Sequence, residues 1–156
     1  MSGKKKILIC IFAVLTLAWT AIIFAQSAKN GEESTEDTNK LMQIIENIAD
    51  SIGVDADVSA KLLRKSAHFG EYAVLGVFAA LLIAMLGEKL LHIVSFGYAV
   101  SVAICDEFAI QRLSEGRAPQ LTDVLIDSAG ALFGILAFIG ISCLVYATKK
   151  QENSSK

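Results

Sequence analysis

The chain has 156 residues, 54% of them hydrophobic, and a mean hydropathy of +0.54. That is too apolar for an ordinary soluble domain or a disordered chain, and the length suits one domain. With 14 basic and 16 acidic residues the net charge is −2, which leaves no basic excess for a nucleic-acid partner.

The first element is the uncharged run Ile7–Ala25. At 1.5 Å per residue it spans about 28 Å, close to the hydrocarbon thickness of a bilayer. Its flanks, Lys4-Lys5-Lys6 and Ala25-Gln26-Ser27, also suit a signal peptide. The run is long for a signal h-region of about 7–15 residues, so a retained span near 7–25 is expected.

An outer loop, 26–64, follows. Its start, SAKNGEESTEDTN, reads as a mobile acidic surface loop. Within 39–52, Leu41, Ile44, Ile45, Ile48 and Ile52 recur at helical spacing and form one apolar stripe. Such a helix would lie on the membrane surface, cap the bundle, or act as a lid. The segment DADVSAKLLRKSAHFGEY contains no proline and is expected to run unbroken into a second span near 68–86.

A third span is expected near 90–106 and a fourth near 124–148, with a polar tail at 151–156. Gly116 and Pro119 mark the turn between the last two spans, and Thr122 or Asp123 is a natural N-cap. Gly130 and Gly134 form GxxxG, a spacing that lets helices approach closely. Cys10, Cys105 and Cys143 lack metal or redox spacing and read as small buried apolar residues. The expected fold is all-α: a single integral-membrane domain over 1–150, with four transmembrane helices and an amphipathic helix in the first outer loop.

Orientation follows from lysine density. With both termini inside, Lys4, Lys5, Lys6, Lys89, Lys149, Lys150 and Lys156 crowd into short inner segments. The other seven basic residues are spread over longer outer ones. N-in, C-in is therefore expected. Acidic residues then fall almost entirely on the outer side.

Charge concentrates at the outer mouth. Lys65, His68 and Tyr72 share a helical face, and Glu71 lies three residues from His68. Glu107 and Gln111 are spaced i, i+4, as are Asp123 and Asp127. Asp106 either joins them or anchors its helix end among lipid headgroups. Arg112 and Arg117 are close enough in sequence to serve as counter-charges. Ionisable groups in lipid are costly, so they turn inward and pair. His68, Glu71, Glu107 and Asp127 have the chemistry to hold a divalent ion, but no HExxH signature is present. No metal or other cofactor is assigned, and no catalytic residue is fixed by spacing alone. There is no G-x-S-x-G, P-loop or Rossmann fingerprint.

Three stretches give the chain a resemblance: IIFAQSAKNGEES, RKSAHFGEYAVLG and DEFAIQRLSEGRAPQLTDVLIDSAG. Together they resemble the VanZ-like family of bacterial membrane proteins. The matching positions are Lys65, His68, Phe69, Glu71, Tyr72, Leu75 and Gly76, then Asp106, Glu107, Gln111, Gly116, Arg117, Asp123, Asp127 and Gly130. The resemblance implies a multi-pass protein of the bacterial cell membrane. It also implies a link to teicoplanin-type glycopeptide or lipoglycopeptide resistance.

Three readings stay open. A polar outer cleft would bind the head group of a lipid-linked envelope ligand or a glycopeptide, with Lys65, Arg112 and Arg117 gripping its anions. An integral-membrane enzyme would instead use His68 and Glu107 as acid and base, with Asp127 orienting them and Arg117 stabilising negative charge. A structural polar knot would only fix helix register.

Overall fold

The structure is a computed structural model, and it describes residues 2–53, 59–87, 92–113 and 118–154. All elements among them are helical: α1 (Gly3–Ser27), α2 (Gly31–Ser51), α3 (Ala60–Leu86), α4 (His92–Cys105) and α5 (Leu121–Ser154). A π-helical turn, Asp106–Ile110, and a 3-10 turn, Gln111–Leu113, continue α4. The stretches Gly3–Ser27, Ala60–Leu86, His92–Leu113 and Leu121–Ser154 are long and apolar enough to cross a bilayer.

The spans alternate in direction. Pairs such as Thr20–Tyr98 and Ser27–Asp106 keep α1 and α4 in parallel register. Lys65–Asp123 and His68–Asp127 do the same for α3 and α5. Lys5 lies beside Gly87, so the start of α1 and the end of α3 share one face of the bundle. Gly87 closes α3 at φ +93°, a left-handed conformation that costs a glycine little.

Small residues set the closest approach. The backbone at Gly130 lies against the Phe69 carbonyl, that at Gly134 against Ala73, and that at Gly76 against Ala131. A Cβ at any of these glycines would collide with the facing carbonyl oxygen. The GxxxG pattern therefore forms the α3–α5 seam. Polar clasps hold the remaining helices. The Trp19 indole N–H donates to the Glu71 carbonyl oxygen at 2.8 Å, and Thr20 Oγ1 meets Tyr98 Oη at 2.8 Å. Ile23, Tyr72, Leu75, Ala99, Val102 and Ala131 fill the core between them.

Apolar side chains also cover the outside of the bundle, among them Ile7, Val14, Leu17, Phe133, Leu136 and Leu144. Lipid is as apolar as leucine, so this surface needs no cover in a bilayer. It also changes the reading of the cysteines. Cys10, Cys105 and Cys143 are free and exposed, because a small apolar residue has no reason to face inward when the outer face is lipid-compatible.

Element boundaries differ from expectation in three places. The acidic stretch expected as a mobile loop is helical from Gly31, so the loop helix is longer than 39–52. The Asn30 side chain accepts from the Glu33 N–H at 2.8 Å, and Glu32 and Glu33 complement the positive end of the helix. The expected polar tail is helical to Ser154 as a continuation of α5. Asp123 is not an N-cap, because α5 already begins at Leu121 and Asp123 reaches sideways to Lys65.

The apolar stripe of α2 packs inward only along one edge. Leu41, Ile44, Ile48 and Ile52 are exposed, Ile45 is half-buried, and Thr38 and Ala49 are buried beside it. Lys29, just past α1, pairs with Asp37 at 2.6 Å and ties α2 to the bundle. The adjacent ammonium holds the Asp37 carboxyl below the usual carboxylate range.

Candidate functional site

The π-helical turn decides what the mouth of the bundle contains. In an α-helix, consecutive side chains diverge by about 100°, so both turn inward only within a broad buried face. The wider turn at Asp106–Ile110 brings Asp106 and Glu107 inward together, and both are fully buried. Asp106 is therefore not a headgroup anchor. Its Oδ2 accepts from Ser27 Oγ at 2.8 Å and from Gln111 Nε2 at 3.2 Å.

Glu107 closes the other side of this knot. Gln111 Nε2 donates to Oε2 at 2.6 Å, as the i, i+4 spacing suggests. The Gln120 backbone N–H donates to Oε1 at 2.5 Å, which pins the chain just before α5. Both Glu107 oxygens thus accept structural hydrogen bonds, and the residue does not line the adjoining cavity.

Beside the knot, α3 and α5 exchange two charge contacts. Lys65 Nζ donates to Asp123 Oδ1 at 2.6 Å, with side chains 28% and 29% exposed. One turn deeper, His68 Nδ1 stands 3.7 Å from Asp127 Oδ1. Asp127 is fully buried, and neither of its oxygens has a hydrogen-bond partner among the described residues. Donor atoms of His68, Asp106 and Asp127 all lie within 4.8 Å of one another, so these are the residues placed to share an ion.

A cavity of about 500 Å³ opens onto this floor. Its wall carries Lys61, Arg64, Lys65 and His68 from α3, Asp123 and Asp127 from α5, and Gln111 and Gln120. Thr35 of α2 also reaches it and accepts from Arg64 Nη2 at 3.4 Å. A second cavity of about 220 Å³ lies under α2, lined by Ser27, Lys29, Asp37 and Glu71. Arg64 and His68 line both cavities and so stand between them.

The expected constellation is thus divided. Lys65, His68, Gln111, Asp123 and Asp127 line the main cavity, and Asp106 lies within 4.8 Å of His68 and Asp127 without lining it. Glu71 faces the smaller cavity instead. Tyr72 is wholly buried in the core, with its hydroxyl lacking a hydrogen-bond partner among the described residues. Arg112 is exposed and does not line either cavity. Arg117 lies outside the described residues, as do Glu115 and Gly116.

Sequence reasoning missed Lys61, Arg64, Ser27 and Thr35. The first two were legible: Lys61, Arg64, Lys65 and His68 follow i, i+3, i+4, i+7, one helical face. Ser27 gave only a weak signal, a hydroxyl at the end of an apolar run. Thr35 gave none, because its segment read as a loop.

No characterised protein and no solved structure matches the chain significantly. The VanZ/LLP1 family profile matches residues 12–145, which takes in α2, the second and third spans, most of the first and fourth, the buried knot and both cavities. This four-span, multi-pass membrane chain belongs to the VanZ/LLP1 family.

Proposed function

We propose that the protein binds the anionic head group of a cell-envelope lipid, or of a lipid-tailed glycopeptide, at the outer face of a bacterial cell membrane. The observation that carries this reading is the about 500 Å³ cavity with Lys61, Arg64 and Lys65 along one wall. These cations crowd the N-terminal turns of α3, where the helix dipole is already positive and no acid occupies the first turn. Cations there oppose the dipole, so the arrangement suits an anion held by the helix end and the side chains together.

Lysine density supports the N-in, C-in orientation, which puts the cavity outside. A ligand's tail would then remain in lipid while its phosphate or carboxylate enters. The exposed stripe of α2 suits a helix resting in the interface beside the opening. Lipid-tailed glycopeptides of the teicoplanin type belong to this ligand class, and capturing them would connect the site to resistance.

The test is binding by purified protein in nanodiscs, read by thermal shift and by titration. The panel is an anionic phospholipid, a polyprenyl phosphate, teicoplanin, and vancomycin as a glycopeptide without the lipid tail. Arg64→Gln with Lys65→Gln is expected to weaken the anionic, tailed ligands at least tenfold, while Glu107→Gln is partly tolerated. Equal binding by the double variant at equal folding rejects the reading.

One observation favours a second, enzymatic reading: His68 and Asp127 face each other at 3.7 Å on the cavity floor. In this reading His68 with Asp127 forms the acid–base pair, and Glu107 is a structural acceptor. His68→Gln would then abolish turnover of an envelope lipid while leaving its binding intact.

A further inference from the structure

We infer that His68, Asp106 and Asp127 form a binding site for a divalent transition-metal ion at the floor of the outer cavity. The inference goes beyond head-group binding and does not depend on which ligand enters above.

The three residues come from three separate segments: α3, the π-helical turn after α4, and α5. Their donor atoms lie within 4.8 Å of one another. Metal–ligand bonds of about 2.0–2.2 Å put donors of one ion roughly 3–4.3 Å apart. The 3.7 Å between His68 Nδ1 and Asp127 Oδ1 already falls in that range. Small side-chain rotations bring in Asp106.

Asp127 supplies the independent observation. It is fully buried, and both its oxygens lack a hydrogen-bond partner among the described residues. Its sole ion-pair contact among them is His68, which is charged only when protonated. An ionised carboxylate buried this way is costly unless a cation joins it.

The donor set selects the ion class. One nitrogen and carboxylate oxygens suit Mn2+ or Zn2+, whereas Ca2+ and Mg2+ prefer oxygen alone and soft metals prefer sulfur. Three protein donors leave a coordination position free. His68 and Asp127 line the cavity, so that position is reachable from it.

The experiment loads chelator-treated full-length protein in nanodiscs with Mn2+ or Zn2+ alone, without any added lipid ligand. Wild type is expected to bind one equivalent and to gain thermal stability. Asp127→Asn and His68→Gln are each expected to weaken binding at least tenfold. Metal-free Asp127→Asn is expected to melt no lower than metal-free wild type, because it removes a buried charge. Undiminished binding in both variants, or no saturable binding by wild type, overturns the site.

A readout on wild type alone guards against variants that fail to fold. The chain has two histidines, His68 and His92. Zn2+ is expected to slow acylation of the His68 imidazole by diethylpyrocarbonate several-fold and to leave His92 unchanged. Equal rates with and without Zn2+ at His68 also overturn the inference. Head-group binding that survives this result remains intact as a separate reading, since its test uses Arg64 and Lys65.

Discussion

The same two helices, α3 and α5, meet in two chemically opposite ways along one seam. Toward the N-terminal ends of both helices they meet through side chains of opposite charge, Lys65 with Asp123 and His68 with Asp127. A turn further in they meet backbone to backbone, with Gly130 on Phe69, Gly134 on Ala73 and Gly76 on Ala131. The glycine contact is close, and an added Cβ there would collide with the facing carbonyl oxygen. The charged contact runs through side chains, and all four of them line the main cavity. Tight packing below fixes the helix register, and the register places the titratable pairs above. A site of this kind needs a scaffold that tolerates no slippage.

Breaking the inner seam is expected to have the largest effect. Gly134→Leu puts a branched side chain into the Ala73 carbonyl, and folded protein should be lost from detergent extracts. Gly134→Ala should lower stability by about 1–3 kcal/mol through overpacking. Gly140 has open space around its Cβ position, so Gly140→Ala should be neutral or gain about 0.4–1 kcal/mol. Equal effects at the two glycines would mean that the seam does not control stability.

The buried knot comes next. Ser27→Ala removes a donor from the fully buried Asp106 and should cost about 1.5–3 kcal/mol, as for a hydrogen bond to a charged group. Ser101 is exposed and bonds only the Gly97 carbonyl, so Ser101→Ala should stay within about 0.5 kcal/mol. Thermal unfolding of the pair checks this.

At the rim, Lys65→Met should cost no more than about 1 kcal/mol, because the Lys65–Asp123 pair is partly exposed and screened. Its effect on anionic ligand affinity should be the larger one. A variant that loses stability but keeps affinity would move Lys65 from the binding wall to the scaffold.

The smallest effect is at α2. The Asp37 carboxyl is lowered in the folded state by Lys29, so its contribution is present above the ordinary carboxylate range. It is lost as pH falls through the depressed folded value. Hydrogen-exchange protection factors in α2 should therefore fall on acidification in wild type, and Asp37→Asn should flatten that change.

The division of the seam also explains what the sequence disclosed. Apolar runs of bilayer length announced the four spans, and GxxxG announced a close approach, because both are short-range patterns. The i, i+4 pairs Glu107–Gln111 and Asp123–Asp127 were legible for the same reason. Asp106 was left between joining the site and anchoring its helix end, because its place beside Glu107 does not say which way it turns; in the structure it is fully buried, within a π-helical turn. Glu71 was placed with His68 by spacing, and the two do line the smaller cavity together, while Glu71 does not line the main one. The α2 start was hidden by polar composition, since an acidic helix capped by Asn30 resembles a loop until its cap is recognised.

Trp19 gives the molecule a built-in optical gauge. It is the chain's single tryptophan, and its indole N–H is clasped by the Glu71 carbonyl, one helical turn from His68. Its ring also meets Phe78 edge-on at 6.0 Å. Tryptophan emission depends on what the indole nitrogen touches, so the fluorescence of the unlabelled protein reports any slide of α3 past α1. An ion or head group that draws α3 toward α5 would write its arrival directly into that spectrum.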